Sequence, residues 1–110
     1  MDFGTLSGRA VVVNVHTGEV AGWEEREYDH GVITRWKDRR ELPAGWALHD
    51  PADYLTVLEH TIPTLLRRAG TAPEQVAGIA FDVTACTMLP TRADGTPLCE
   101  EEAFQKNPHS

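Results

Sequence analysis

Cysteine is scarce in this chain and aromatic residues are few. Cys86 and Cys99 are too few for a disulfide scaffold and lack the C-x-x-C spacing of a structural zinc site, so a reducing, cytoplasmic setting fits best. Long hydrophobic runs are also missing. Apolar residues never run beyond four or five in a row, whereas a membrane span needs about twenty and a signal-peptide core about seven to fifteen. No membrane partner and no export are expected. Positive charge is in deficit, with 10 Lys and Arg against 17 Asp and Glu and a formal net charge of -7. Such a surface repels a phosphate backbone and disfavours nucleic acid. The five histidines (His16, His30, His49, His60 and His109) lie far apart without an H-x-x-x-H pair, so none reads as a metal ligand.

What is present is ordinary for a folded chain: 110 residues, 41% hydrophobic and 25% charged. That suits one domain at most, or a piece of one, with a modest core. Arg9 to Val15 is a β-branched run, His16-Thr17-Gly18-Glu19 supplies a turn, and Val20 to Tyr28 reads as the charged second arm of a hairpin. Residues 29–48 carry Gly31, Pro43 and Gly45 among many charges and read as a long loop. Asp50-Pro51 opens a helix expected to run to about Ala69, with Gly70 closing it and Pro63 kinking it. Leu55, Leu58, Ile62, Leu65 and Leu66 form its expected apolar stripe, and Thr71-Ala72-Pro73-Glu74 has the spacing to start one more short turn. Val76 to Val83 is nearly continuous in apolar character and reads as a parallel strand buried on both faces, completing a β-α-β crossover. Ala93-Asp94-Gly95 between two short extended segments signals a small ribbon. The fold class is α/β.

Two segments could carry chemistry. Asp2-Phe3-Gly4-Thr5-Leu6-Ser7-Gly8-Arg9 packs two glycines, two hydroxyls, a carboxylate and a guanidinium together. Glycine lets backbone N–H groups approach a phosphate, Thr5 and Ser7 offer short donors, Arg9 a planar fork, and Asp2 a ligand for Mg²⁺. The same residues also suit any tight hairpin. Asp82 is the second case: a carboxylate near the carboxyl end of an interior strand must face a crevice, a metal or a donor, and ligand crevices in such sheets lie beyond strand carboxyl ends. Thr84, Ala85, Cys86 and Thr87 would line that crevice. Equally, the two threonines satisfy the turn and Cys86 packs as a small hydrophobe, with no histidine near it in sequence to activate it.

The segment from Asp2 to Arg9 resembles the first phosphate motif of the FGGY-type sugar kinases, which share the actin and hexokinase ATPase fold. Gly45-Trp46-Ala47-Leu48-His49-Asp50-Pro51-Ala52-Asp53-Tyr54, Gly78 to Pro90, and Asn107-Pro108-His109-Ser110 are similar to that family in the same order. The resemblance implies a partial ribonuclease-H-like domain: a mixed sheet with a hairpin, a crossover helix and a buried parallel strand, its first strand largely missing. It implies that residues 1–110 are an incomplete N-terminal lobe, with the second lobe and the catalytic base beyond Ser110. The implied activity is transfer of phosphate from ATP to the terminal hydroxyl of ribulose in arabinose breakdown. The cofactors are then ATP and Mg²⁺, with Asp2, Gly4, Thr5, Ser7 and Arg9 on the nucleotide side, Asp2 at the metal, and Asp82, Thr84, Ala85 and Cys86 on the sugar side. It leaves room for a homo-oligomeric parent and implies that this length alone is inactive. Two other readings stay open, a non-catalytic sugar- or phosphate-binding piece and a metal nuclease using Asp2 and Asp82.

Overall fold

The computed structural model describes residues 1–35, 41–85 and 87–107. Strands β1 (Asp2–Phe3), β2 (Ser7–Val13) and β3 (Val20–Glu27) precede helix α1 (Pro51–Ala69), and β4 (Asp82–Val83) follows it. The sheet order is β3-β2-β1-β4, antiparallel from β3 to β1 and parallel between β1 and β4. This is a mixed sheet with one crossover helix, as the α/β reading requires.

The hairpin turn is made by side-chain chemistry. The Asn14 carboxamide accepts from the backbone N–H of His16 (2.9 Å) and Thr17 (3.3 Å), and Gly18 takes the left-handed φ of 76° that closes the turn. Because Asn14 begins the turn, β2 ends at Val13 and not at Val15. It starts at Ser7, two residues before the expected Arg9, since Gly4 N–H bonds Ser7 O at 2.9 Å and brings β1 back onto β2 at once.

Helix α1 has the expected bounds. The Asp50 carboxylate accepts from Ala52 N at 3.0 Å, and Gly70 at φ 64° donates to the Arg67 and Leu66 carbonyls. The helix continues through Pro63, and a 3₁₀ turn at Pro73–Gln75 follows. Its buried line differs from the expected leucine stripe: Asp53, Val57, Thr61 and Leu65 are buried, and Leu55 is 61% exposed. The physical reason is that both polar members satisfy themselves. Thr61 Oγ1 donates to Val57 O at 2.8 Å, and Asp53 receives His30, so neither carries the desolvation cost of an unpaired group.

One face of the β2–β3 hairpin carries α1. Approach is set by glycine: a Cβ on Gly8 would lie 2.6 Å from Val57 Cγ1, and one on Gly22 would lie 3.2 Å from Leu65 Cδ1. Phe3, Tyr28 and Val57 form the core cluster, with Met1, Tyr54 and Leu58 against it. An Arg68–Glu24 ion pair ties the last turn of the helix to β3.

The buried parallel strand expected over Val76–Val83 is corrected. Only Asp82 and Val83 pair as strand, and Val76, Ile79, Phe81 and Val83 are exposed. Helix α1 lies over β2 and β3, β1 flanks only two residues of the segment, and β4 is the sheet's edge among the described residues. The expected ribbon after Pro90 is a single bridge, Thr91 with Pro97, and the described residues of 29–48 hold the bridges Ile33–Leu48 and Arg35–Glu41. The radius of gyration is 16.7 Å, against about 13 Å for a compact domain of this length. No described helix is long and apolar enough to cross a membrane.

Candidate functional site

Strand register assembles the candidate residues. Asp2 lies opposite Arg9 on one side and Asp82 on the other, and Arg9 lies opposite Glu25 of β3. Directly paired residues share a face of a sheet, so Glu25, Arg9, Asp2 and Asp82 form one row across all four strands. The row is on the face away from α1, since the alternate residues Phe3 and Gly8 meet Val57 of the helix. Arg9 Nη2 donates to Asp2 Oδ2 at 2.6 Å, with both side chains about half exposed. Three carboxylates and one guanidinium give the row a net negative charge.

At the carboxyl end of the parallel pair β1/β4 the chain turns twice, side by side. The first turn is Gly4 to Ser7. Gly4 N–H is taken by Ser7 O (2.9 Å), Gly4 O accepts from the Tyr28 hydroxyl (2.9 Å), and Leu6 O accepts from Tyr28 N (2.9 Å). Burial, with the neighbouring Tyr54 and Asp2 charges adding to it, pushes the Tyr28 hydroxyl up to about 12, so it holds its proton and donates across the working pH range. The Ser7 hydroxyl donates to Glu25 Oε1 at 2.6 Å. Thr5 stays at the exposed tip, and no described residue partners its hydroxyl. A Cβ on Gly4 would meet Ser7 O at 3.3 Å, so the turn closes most easily around glycine.

The second turn begins at Thr84, whose N–H (3.1 Å) and hydroxyl (2.9 Å) both donate to Phe3 O. Thr84 therefore clamps the end of β4 to the end of β1. Ala85 is exposed beside it. Cys86 lies outside the described residues. The structure thus brings Asp2, Gly4, Ser7, Arg9, Asp82 and Thr84 to one end and one face of the sheet, with Thr5 exposed in the first turn and Ala85 exposed beside Thr84.

A second group beneath these turns was not read from the sequence. Asp53, 3% exposed, accepts from His30 N (3.0 Å) and His30 Nδ1 (2.9 Å), with Asp50 Oδ2 3.8 Å from the same ring nitrogen. The Asp53 hydrogen bond and charge raise the His30 pKa above its ordinary value. His49 Nδ1 meets the Tyr54 hydroxyl at 2.6 Å, and the rings of Tyr28, His49 and Tyr54 pack against one another at a tilt, with centroids 5.3 to 5.9 Å apart. Burial raises the Tyr54 hydroxyl as well, partly offset by its hydrogen bond with Thr87. This aromatic group supports both turns from below. Its only sequence signal is the four-residue spacing of Asp53, Val57, Thr61 and Leu65.

The donor set suits a hard cation beside phosphate. Mg²⁺ takes one or two protein carboxylates and completes its shell with water and phosphate oxygens, and Asp2 and Asp82 stand in neighbouring register. Among the described residues no group of three or more His, Cys, Asp or Glu side chains converges. A two-metal nuclease site would need such convergence.

No family model matches the chain. Curated ribulokinases do match it. That of Bacillus licheniformis is 50% identical over 107 residues, covering 96% of this chain and 19% of its own length. Those of Mycolicibacterium smegmatis (47% over 113 residues) and Geobacillus thermodenitrificans (43% over 112 residues) cover all of this chain and 20% of theirs. The chain therefore spans about a fifth of the length of the curated relatives it matches. Along essentially its full extent, the chain is similar to three curated ribulokinases at 43% to 50% identity.

Proposed function

We propose that this chain forms part of one lobe of an enzyme that phosphorylates ribulose with ATP, and that it supplies one wall of the cleft in which the two substrates meet. The finer architecture in this reading is an incomplete actin/hexokinase-type ATPase domain. The mixed sheet and the two turns at the carboxyl end of its parallel pair support it.

In this reading the Gly4–Ser7 turn faces the nucleotide phosphates. Gly4 serves closure, because its own N–H is taken within the turn, and Thr5 at the tip offers the available hydroxyl. Arg9 reaches a phosphate by turning one arm of its fork from Asp2. The row's negative charge requires that the phosphates arrive with a divalent cation, and Asp2, assisted by Asp82, would hold it. Mg²⁺ bound there would neutralise charge on the nucleotide. Thr84, fixed to Phe3 O, holds β4 against β1, and Ala85 leaves room for the sugar beside the turn. Phosphoryl transfer depends mainly on positioning and charge neutralisation, and the exclusion of water needs a second wall.

The observation that carries this reading is the single row Arg9–Asp2–Asp82 beside a glycine turn pinned by Tyr28. The test is amide-resolved NMR of the isotope-labelled chain with millimolar MgATP. Shifts are expected at Gly4–Ser7 and Arg9, dependent on Mg²⁺ and reduced at least fivefold in Asp2→Asn. Shifts confined to other surfaces, or an unchanged response in Asp2→Asn, would overturn the nucleotide assignment. The same 110-residue polypeptide is expected to give no ribulose-dependent ADP, and turnover would overturn the one-wall reading.

A further inference from the structure

The hydroxyl protons of the second turn are already committed. Thr84 Oγ1 lies 2.9 Å from Phe3 O, and a carbonyl only accepts, so Thr84 gives its proton to the end of β1. Thr87 is held from beneath. Its side chain hydrogen-bonds the Tyr54 hydroxyl, whose other partner is His49 Nδ1 at 2.6 Å. The position of Tyr54 is set by the core, with its ring 5.3 Å from Phe3 and 5.3 Å from Tyr28 between centroids. A neutral phenol has one proton, so with two partners it donates to one and accepts from the other. Burial keeps Tyr54 protonated, and the Thr87 bond works against that rise, as a bond donated to the phenolic oxygen does. Thr87 is therefore the donor, and the Tyr54 proton goes to His49 Nδ1.

What these two threonines turn outward is oxygen without hydrogen. Both are exposed, the exposed Ala85 between them adds no polar side chain, and Asp82 brings a carboxylate just before them. Among the described side chains from Asp82 to Thr87, none has a proton left to give. The first turn has the opposite polarity. Ser7 spends its proton on Glu25, but the Thr5 hydroxyl has no described partner and the Arg9 guanidinium is about half exposed. Donors suit phosphate oxygens. A wall of acceptors pairs instead with a ligand that carries several hydroxyl protons, and it turns away carboxylates, phosphates and ethers, whose oxygens find no side-chain donor there.

We infer that the second turn selects a neutral polyhydroxyl ligand by the protons of its hydroxyl groups, and that Tyr54 is the positioning residue that fixes this polarity by taking up the Thr87 proton. The inference rests on the one-wall reading above and gives its sugar side a rule of selection. Tyr54 acts only through Thr87, so the role leaves a mark that packing alone would not: it decides which ligands are preferred, not merely how tightly all of them bind.

The test titrates the isotope-labelled 110-residue chain by NMR with ribulose and with ribulose analogues in which one hydroxyl at a time is O-methylated. An ether oxygen still accepts but has no proton to donate. Ribulose is expected to shift the Thr84 and Thr87 amides saturably, and at least one methyl ether to bind about fivefold more weakly, the loss of one hydrogen bond. In Tyr54→Phe the ring stays and the Thr87 proton is released to meet the ether oxygen, so that deficit is expected to shrink to within about twofold. A purely structural loss would weaken every ligand alike and leave the ratio unchanged. Thr87→Val is expected to lose both the preference and part of the ribulose affinity, and Thr87→Ser to keep both. Helix content by circular dichroism and the Mg²⁺-dependent response of Gly4–Ser7 to ATP are expected to stay unchanged in all three variants. Methyl ethers that all bind the native chain as well as ribulose does, an undiminished deficit in Tyr54→Phe, or no response to ribulose would overturn the inference. The nucleotide assignment fails separately, by a missing MgATP response with the preference for ribulose intact.

Discussion

The hairpin with its helix and the segment from Val76 to Leu89 are built from similar residues and end in opposite environments. Across the hairpin, Gly8, Ala10, Val57 and Leu65 interlock because α1 lies directly over β2 and β3. Along the later segment Val76, Ile79, Phe81, Val83, Met88 and Leu89 are all exposed, although the run is at least as apolar. Hydrophobicity decides which residues gain from burial; it does not supply the surface that buries them. In the hairpin that surface is local, a helix begun by Asp50 and stopped by Gly70. The later segment has β1 on one side for two residues and, among the described residues, no strand alongside the rest.

The largest effect that could break this contrast belongs to the packed side. Leu65 is 2% exposed and sits against Gly22. Leu65→Ala is expected to cost about 2–5 kcal/mol through lost burial and the cavity left behind, a large share of the roughly 5–15 kcal/mol available to a domain. The shift in urea midpoint at constant slope measures it. A loss below about 1 kcal/mol would mean that the helix is not seated on the hairpin.

How far each region was legible follows from the same contrast. Helix bounds were readable because Asp50, Pro51 and Gly70 act on their own neighbours. The hairpin was readable in kind, and its limits moved by two residues because Asn14 and the Gly4–Ser7 turn redirect the backbone. The buried face of α1 was misjudged by a fraction of a turn, since Thr61 and Asp53 find partners that a hydrophobic pattern does not register. Val76–Val83 reads as buried from composition, and the sheet order among the described residues shows β4 at an edge. For the site, the residue types from Asp2 to Arg9 were legible, but the pairing of Asp2 with both Arg9 and Asp82 depends on register across 80 residues of chain. The Tyr28 and Tyr54 support was invisible because nothing in their local sequence sets them apart.

A smaller effect tests the join between the packed unit and the loop that follows β3. His30, half exposed, donates to the buried Asp53 carboxylate, with Asp50 and Asp29 adding negative charge nearby. Its folded pKa is raised. The stability it contributes is therefore fully present below the ordinary histidine value of about 6.5 and is lost as pH rises through the raised folded value. The urea midpoint of the native chain should exceed that of His30→Gln most at about pH 6, and the difference should narrow steadily toward pH 8.5. A difference that grows with pH would mean that neutral His30, and not its cation, is the form held by Asp53.

The smallest expected effect lies on the open side and sharpens the contrast most. Phe81 is 59% exposed, with its ring roughly parallel to Phe3 at 6.3 Å between centroids. A buried phenylalanine cut to alanine costs about 3–5 kcal/mol, whereas a surface substitution stays within about 0.5 kcal/mol, and Phe81→Ala is expected near the latter. Strand alternation puts Phe81 on the same face as Met1 and Phe3. The shift in urea midpoint at constant slope measures the cost. A cost of about 3 kcal/mol or more would mean that the segment is covered in solution, and the two regions would then differ in sequence but not in environment.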